Sequence, residues 1–186
     1  MIIEQEVYNI NNDELVLRCA KEDEANMLIE YLKTVSEETR FLMCDSDEIK
    51  YTEEREKAFI KNHNDSETSL LLLAFVNGKY AGNCSFDSID DSRRNAHRVE
   101  IGIALYQKYT GQGIGRIMLK KLIDEAKKAK FEQCELRVVE GNDRAFKLYK
   151  KLGFAECGRI PRANKYADGT YSDDILMTLN LMNLNI

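Results

Sequence analysis

The sequence predicts an α/β (α+β) fold: a mostly antiparallel sheet carrying one parallel strand–helix–strand crossover. Three observations predict it. Residues 98–105 alternate, with Val99, Ile101, Ile103 and Leu105 at period two, as in a strand. A glycine-dense turn, Tyr109-Thr-Gly-Gln-Gly-Ile-Gly-Arg116, then opens an amphipathic helix carrying Ile114, Ile117, Met118, Leu122, Ile123, Ala126 and Ala129. A second strand follows at 132–139, and a strand–helix–strand unit of this kind closes as a right-handed parallel crossover. Two strand pairs are joined at Asn77-Gly78 and around Asp168-Gly169, and the rest of the sheet is expected to be mostly antiparallel.

In chain order, Leu15 to Cys19 is a short strand. An acidic helix start at Glu22-Asp-Glu24 leads into a face of Ala25, Leu28, Ile29, Leu32 and Val35. Residues 41–50 are polar and irregular. Thr52 is placed to cap a second helix running to Asn62, with Glu53 and Glu54 in its first turn. Ser69 to Val76 and Lys79 to Ser88 are strands joined by Asn77-Gly78, a type I′ hairpin signal because both central residues need positive φ. A polar loop, 90–96, precedes the strand that enters the glycine turn. The glycine-initiated helix ends near Lys130. After strand 132–139, Asn142 caps another helix whose apolar face holds Ala145, Phe146, Leu148, Tyr149 and Leu152. Gly153 terminates it in the left-handed conformation, with Phe154 at the position of the accompanying apolar contact. Ala155 to Pro161 and Tyr171 to Leu181 form a last strand pair around Asp168-Gly169. The order is β-α-α-β-β-β-α-β-α-β-β.

At 186 residues and 44% hydrophobic content, residues 1–186 suit a single domain with a sizeable core. One proline and the lack of any low-complexity tract argue against a linker. The first seven residues lack a basic segment and an apolar one, which argues against secretion. The longest apolar run, Leu70 to Val76, is too short to span a bilayer and suits a buried strand. Five cysteines without a C-x-x-C pair favour reduced core thiols in a cytoplasmic protein over zinc or disulfides. No metal site is expected. A net charge of −5 disfavours nucleic acid as the partner, and no membrane association is expected either.

Glycines 111, 113 and 115 cost conformational entropy that a chain bears where backbone must approach something closely. Here they open a helix, whose free N–H groups and positive dipole end make an anion site, so a bound phosphate is the first inference. Two phosphate motifs fail. A dinucleotide fingerprint needs a third glycine, and a P-loop needs Gly-Lys-Ser/Thr, where this chain has Arg116. Both folds also require several alternating β-α units, and only one crossover is visible.

What fits is x-x-x-Gly113-x-Gly115 between a strand and an amphipathic helix, followed by Asn142-x-x-Ala145-x-x-Leu148-Tyr149-x-x-Leu152-Gly153-Phe154. Together these segments resemble the GNAT superfamily of acetyl-coenzyme A-dependent N-acetyltransferases. The resemblance covers Leu70 to Leu181, and the two amino-terminal helices fit it in order. It implies a mixed sheet of six to seven strands with helices on both faces. It implies an enzyme that moves acetyl from acetyl-CoA to a primary amine, of a small molecule or a protein, by direct attack. It leaves room for a homodimer through the last strands. One residue departs from the pattern. The family usually has Arg or Gln three residues before the middle glycine, where this chain has Thr110, which sets that side-chain contact aside and leaves the backbone amides.

In this reading the amides of Gly111, Gln112, Gly113, Ile114, Gly115 and Arg116 cradle the coenzyme A diphosphate, with Lys108, Arg116 and Lys120 adding charge. Glu100, Gly102 and Ala104 share the small-residue face of their strand, against which pantetheine can lie, while Ile103 and Leu105 offer backbone hydrogen bonds. The competing explanation for Gly102 is close packing of a helix. Asn142 and Ala145 open the helix on the thiol side; Asn142 serves as N-cap, as a pantetheine contact, or as both. Tyr149 corresponds to the family tyrosine that protonates the departing thiolate, and otherwise is a core tyrosine. Glu100 is the leading base for the acceptor amine, with His97 as the other option; a strand glutamate is otherwise simply solvated. His63, in a polar Asn-His-Asn-Asp stretch, is expected on the surface. A non-catalytic acyl-CoA sensor on the same fold is the alternative function, and Tyr149 argues against it. The acceptor is not legible.

Overall fold

The computed structural model describes residues 1–42 and 44–182. Their elements are β1 (Glu6–Ile10), β2 (Asp13–Cys19), α1 (Ala25–Glu38), α2 (Glu53–Asp65), β3 (Ser69–Val76), β4 (Lys79–Ser88), β5 (Arg98–Leu105), α3 (Ile114–Lys128), β6 (Gln133–Val139), α4 (Asp143–Lys151), β7 (Ala155–Lys165) and β8 (Tyr171–Asn180). The strands make one eight-stranded sheet in the order β1-β2-β3-β4-β5-β6-β8-β7. Every neighbouring pair is antiparallel except β5 and β6, the crossover bridged by α3.

The unbroken apolar run of β3 reflects cover on both faces of the sheet. Leu70, Leu72, Ala74 and Val76 pack into the main core with Met118, Leu119 and Leu122 of α3. Leu71 and Leu73 turn to the other face, against Leu28 of α1 and Ile60 of α2. Local chemistry sets the element ends as expected. Thr52 Oγ1 accepts from Arg55 N at 3.3 Å, and Asn142 Oδ1 from Ala145 N at 3.3 Å. Asn77 and Gly78 have φ of 48° and 74°, the type I′ signature. Gly153 ends α4 at φ 96°, and Phe154 behind it is buried. Among the described residues no helix is long and apolar enough to cross a membrane.

The structure differs from the sequence expectation in three places. It has eight strands rather than six to seven, the addition being β1. The inward positions of β1 are Glu6, Tyr8 and Ile10, and Glu6 meets the buried ammonium of Lys121 at 2.5 Å. An inward glutamate spoils the apolar alternation that marks a strand. β7 runs on to Lys165, through Pro161, and is exposed along most of its length. It is an edge strand, where proline's missing N–H leaves no ladder bond unmade. Of the cysteines, Cys84 and Cys134 are core thiols, but Cys44 and Cys157 are exposed.

Candidate active site

The parallel pairing of β5 with β6 lasts for three residue pairs only, Arg98 with Gln133, Val99 with Cys134 and Glu100 with Glu135. Beyond them β5 stays with β4 as far as Leu105, and β6 stays with β8 as far as Val139. The two strands part, and a wedge opens inside the sheet. The direction of the backbone groups along it follows from the ladder. Ile89 N donates to Arg98 O at 3.2 Å, and Tyr106 N donates to Ala81 O at 3.0 Å, so the even-numbered residues of β5 bond toward β4. The Ile101 amide closes the ladder on Glu135, so the carbonyl of Ile101 and the amides and carbonyls of Ile103 and Leu105 face the wedge, which runs roughly 14 Å along β5 at the usual strand rise. Unpaired backbone groups of this kind suit an extended ligand with amides of its own.

The course of β5 depends on a feature of β4. The register slips between Ala74 opposite Gly82 and Phe75 opposite Tyr80, which makes Ala81 the extra residue of a bulge. Gly82, at φ +152°, lets the Ala104 carbonyl come so near that a Cβ would sit 2.3 Å from its oxygen.

The wide end of the wedge meets the glycine turn. Gly111 and Gly113 have φ of +79° and +89°, a conformation that only glycine adopts at low cost. A Cβ at Gly111 would touch nothing within 4 Å, and one at Gly113 only Ile10 Cδ1 at 3.3 Å, so the outer side of the turn is open. Gly113 O receives the first helical bonds, from Arg116 N at 3.1 Å and Ile117 N at 3.3 Å. The amides of Gly113, Ile114 and Gly115 are thus among the helix's unpaired donors. Gly115 adds a packing role, since its missing Cβ would touch Leu148, Ile103 and Leu105 at 3.5–3.7 Å, where α3, α4 and β5 converge. The Gln112 side chain folds back to the Lys108 carbonyl at 2.7 Å, and Asn11 Nδ2 reaches Gln112 O at 3.4 Å. Lys108 Nζ lies over the rings of Tyr106 and Tyr109, while Arg116 and Lys120 are exposed. The first turn of α3 carries no acidic residue. Thr110 donates to Gln107 O at 2.7 Å and accepts from Arg144 Nη1, a contact from α4 across the wedge mouth.

Tyr149 is buried on α4, edge-on to Phe154 with ring centroids 5.8 Å apart. Burial pushes its phenol up to about 12. Ala145 and Leu148 pack beside it against the main core. Asn142 spends its side-chain oxygen on the helix cap, and its helix start lines a cleft of about 180 Å³ with Val139, Phe146, Arg159 and Ile175.

Glu100 occupies the opposite face of β5 from Ile101 and Ile103. It is half exposed, 3.6 Å from the Arg137 guanidinium, and stands opposite Asp87 of β4 and Glu135 of β6. Three carboxylates thus lie in a row across the apex of the wedge. Arg98 binds the third of them, Glu135, through two nitrogens. His97 contributes its backbone carbonyl to the loop before β6, accepting from Glu132 N and Gln133 N.

His63 is not on the surface. It is 5% exposed, its Nδ1 lies 3.0 Å from Phe59 O, and its Nε2 stands 3.1 Å from Asp87 Oδ1, an ion-pair distance without hydrogen-bond alignment. Burial works against its charge, but the Asp87 carboxylate and the Phe59 carbonyl outweigh that and hold it above the ordinary histidine value.

Sequence reasoning missed Arg144, the bulge at Gly82 and a ring cluster of Tyr31, Tyr80 and Tyr106 under α1. A glycine inside a strand pattern was a signal for the bulge. Nothing local pointed to the other two.

Comparison with known proteins gives a consistent result. Residues 26–154 match the model of the Acetyltransferase (GNAT) family. Among curated relatives, the L-amino acid N-acyltransferase MnaT of Escherichia coli K12 is 27% identical over 60% of this chain and 64% of its own length. The chain therefore spans a little under two thirds of that relative. The [ribosomal protein bS18]-alanine N-acetyltransferase of the same strain is 33% identical over 67% of this chain and 78% of its own. A GNAT-family acetyltransferase from Streptococcus pneumoniae superposes with a TM-score of 0.84 at 31% identity, covering 89% of this chain and 99% of that one. The yncA structure from Salmonella typhimurium, which holds acetyl-CoA as its cofactor, superposes at 0.80 with 20% identity, over 92% and 96% of the two chains.

Proposed function

We propose, from the premise that this chain belongs to the acetyltransferase (GNAT) family, that it is an N-acetyltransferase moving acetyl from acetyl-CoA to an α-amino group. The observation that carries the reading is the wedge between β5 and β6 opening onto the glycine turn. A diphosphate suits the outward amides at Gly113, Ile114 and Gly115, and an amide-bearing arm suits the Ile101 carbonyl and the unpaired backbone of Ile103 and Leu105. Acetyl-CoA supplies a thioester carbonyl open to nucleophilic attack.

The residues of this chain then divide the work. Gly111 to Arg116 hold the phosphates, and Ile103, Ala104 and Leu105 hold the arm along β5. Asn142 and Ala145 set the start of α4 at its thiol end. Glu100, directly or through one water, takes the proton that the acceptor ammonium must lose before its nitrogen attacks. As the carbon–nitrogen bond forms and the carbon–sulfur bond breaks, the Tyr149 hydroxyl donates to the departing sulfur. Asp87 and Glu135, flanking Glu100, are paired with His63 and Arg98, which leaves Glu100, half exposed beside Arg137, as the carboxylate open to an ammonium substrate. An α-amine is the group common to the acceptors named for the two curated relatives, a free amino acid in one and an alanine of a ribosomal protein in the other.

Thiol release from acetyl-CoA, measured against a panel of amino acids, amino-acid amides and peptides with free amino termini, tests the reading. Release with α-amines and none with side-chain amines or polyamines is expected. Tight acyl-CoA binding without release for any acceptor would instead favour a non-catalytic acyl-CoA sensor.

A further inference from the structure

Resting on that reading of the donor site, we propose that Arg144 is the side-chain phosphate ligand of this chain, gripping the diphosphate from across the mouth of the wedge. Thr110 follows β5 and Arg144 follows β6. Among the described residues, their contact is the one hydrogen bond joining the turn after β5 to the helix after β6. An arm lying between the strands, with its phosphates on the glycine turn, has to pass this guanidinium.

The charge balance around Arg144 supports the assignment. Arg98 has Glu135, Arg137 has Glu100, and Arg159 has both Glu140 and Glu156. Arg144 is exposed and, among the described residues, has no carboxylate partner. It is held only by a neutral hydroxyl, whose own proton goes to Gln107 O, so a lone pair is turned to the guanidinium. One contact leaves most of the guanidinium's five donors unused. The residue also stands in the first turn of α4, near the start of α3. A cation at a helix N-terminus opposes the dipole, a cost that an anion bound between them removes. The other cations differ. Lys108 is drawn over two tyrosine rings, and among the described residues Arg116 and Lys120 have no anchoring contact to the turn.

Calorimetry of coenzyme A and of pantetheine, which lacks the phosphates, tests the assignment on wild type, Arg144→Gln and Arg144→Lys at low and high salt. Loss of a charged hydrogen bond predicts that Arg144→Gln weakens coenzyme A by about 10- to 100-fold and flattens the salt dependence of binding. Pantetheine affinity should not change, and lysine should restore part of the loss. In turnover, KM for acetyl-CoA rises while kcat at saturation holds. Wild-type affinity for coenzyme A in Arg144→Gln overturns the proposal, as does equal loss for coenzyme A and pantetheine, which would mark a structural role. If wild type itself fails to bind coenzyme A, the donor-site reading falls, which is a separate result.

Discussion

Tyr149→Phe is the substitution whose consequence the structure defines most closely. The phenol is 7% exposed, and burial alone holds it at about 12. A departing thiol of ordinary pKa, about 8.5, is a much stronger acid, so complete proton transfer from this phenol runs uphill by roughly 4.8 kcal/mol. In the proposed mechanism Tyr149 would therefore act chiefly as a hydrogen-bond donor to the developing thiolate. A hydrogen bond to a charged group contributes about 1.5–3 kcal/mol, so kcat should fall by about 10- to 150-fold, short of the largest effects known for general acids. Affinity for coenzyme A should not change. Among the described residues the hydroxyl has no hydrogen-bond partner, so the phenylalanine protein should melt at the same temperature or slightly higher. The assay is initial-rate thiol release at saturating acetyl-CoA from pH 6.5 to 10, with a parallel thermal melt. The wild-type kcat should show no falling limb in this range, because the phenol stays protonated throughout it. A Tyr149→Phe rate within twofold of wild type would refute the donor role, and so would a wild-type rate that collapses near pH 8.

Three further outcomes follow from the geometry. Gly82→Ala forces a Cβ against the Ala104 carbonyl at a positive φ, so it should cost about 2–3 kcal/mol in chemical denaturation and weaken coenzyme A binding by displacing β5; wild-type stability would mean that the close approach is not maintained. Gly113→Glu places a left-handed side chain and a negative charge at the open side of the turn, and coenzyme A binding should disappear in calorimetry; retained affinity would remove the phosphate cradle. Asp87→Asn should destabilise by about 1 kcal/mol at pH 6 and by less at pH 8.5, read from urea midpoints. The sign follows from His63, whose raised pKa gives stability that is full below about 6.5 and fades as pH rises through the folded value. A loss equal at both pH values would show that the pair does not titrate as described.

Much of the fold was legible because its signals are local. Thr52, Asn77-Gly78, Asn142 and Gly153 each act within a few residues, and each does in the structure what its chemistry implies. The missed strand β1 lacked the usual signal because its core-facing partner is a lysine. His63 shows a signal overlooked: its neighbours Asn62, Asn64 and Asp65 are polar, yet Glu56, Ile60 and His63 recur at helical spacing and are the buried face of α2. The wedge and the Arg144 contact could not be read at all. Alternation in 98–105 and 132–139 marks two strands but does not say how many residue pairs join them. No local pattern ties Thr110 to a residue on the next helix but one. The acceptor side is opaque for the same reason, since it is assembled from several loops and strand faces.

The brevity of the β5–β6 ladder also bears on mechanics. Three residue pairs are the seam between two half-sheets, β1 to β5 on one side and β6, β8 and β7 on the other. Elsewhere the halves are tied by α3 and by apolar side chains such as Leu148, Ile103 and Leu105, which converge around Gly115. A ligand lying along the opening would act as a ninth strand, completing the ladder that the polypeptide leaves unfinished. Rigidity across the middle of the molecule would then come with the donor, and the shape of the acceptor side would be set only once the donor was in place.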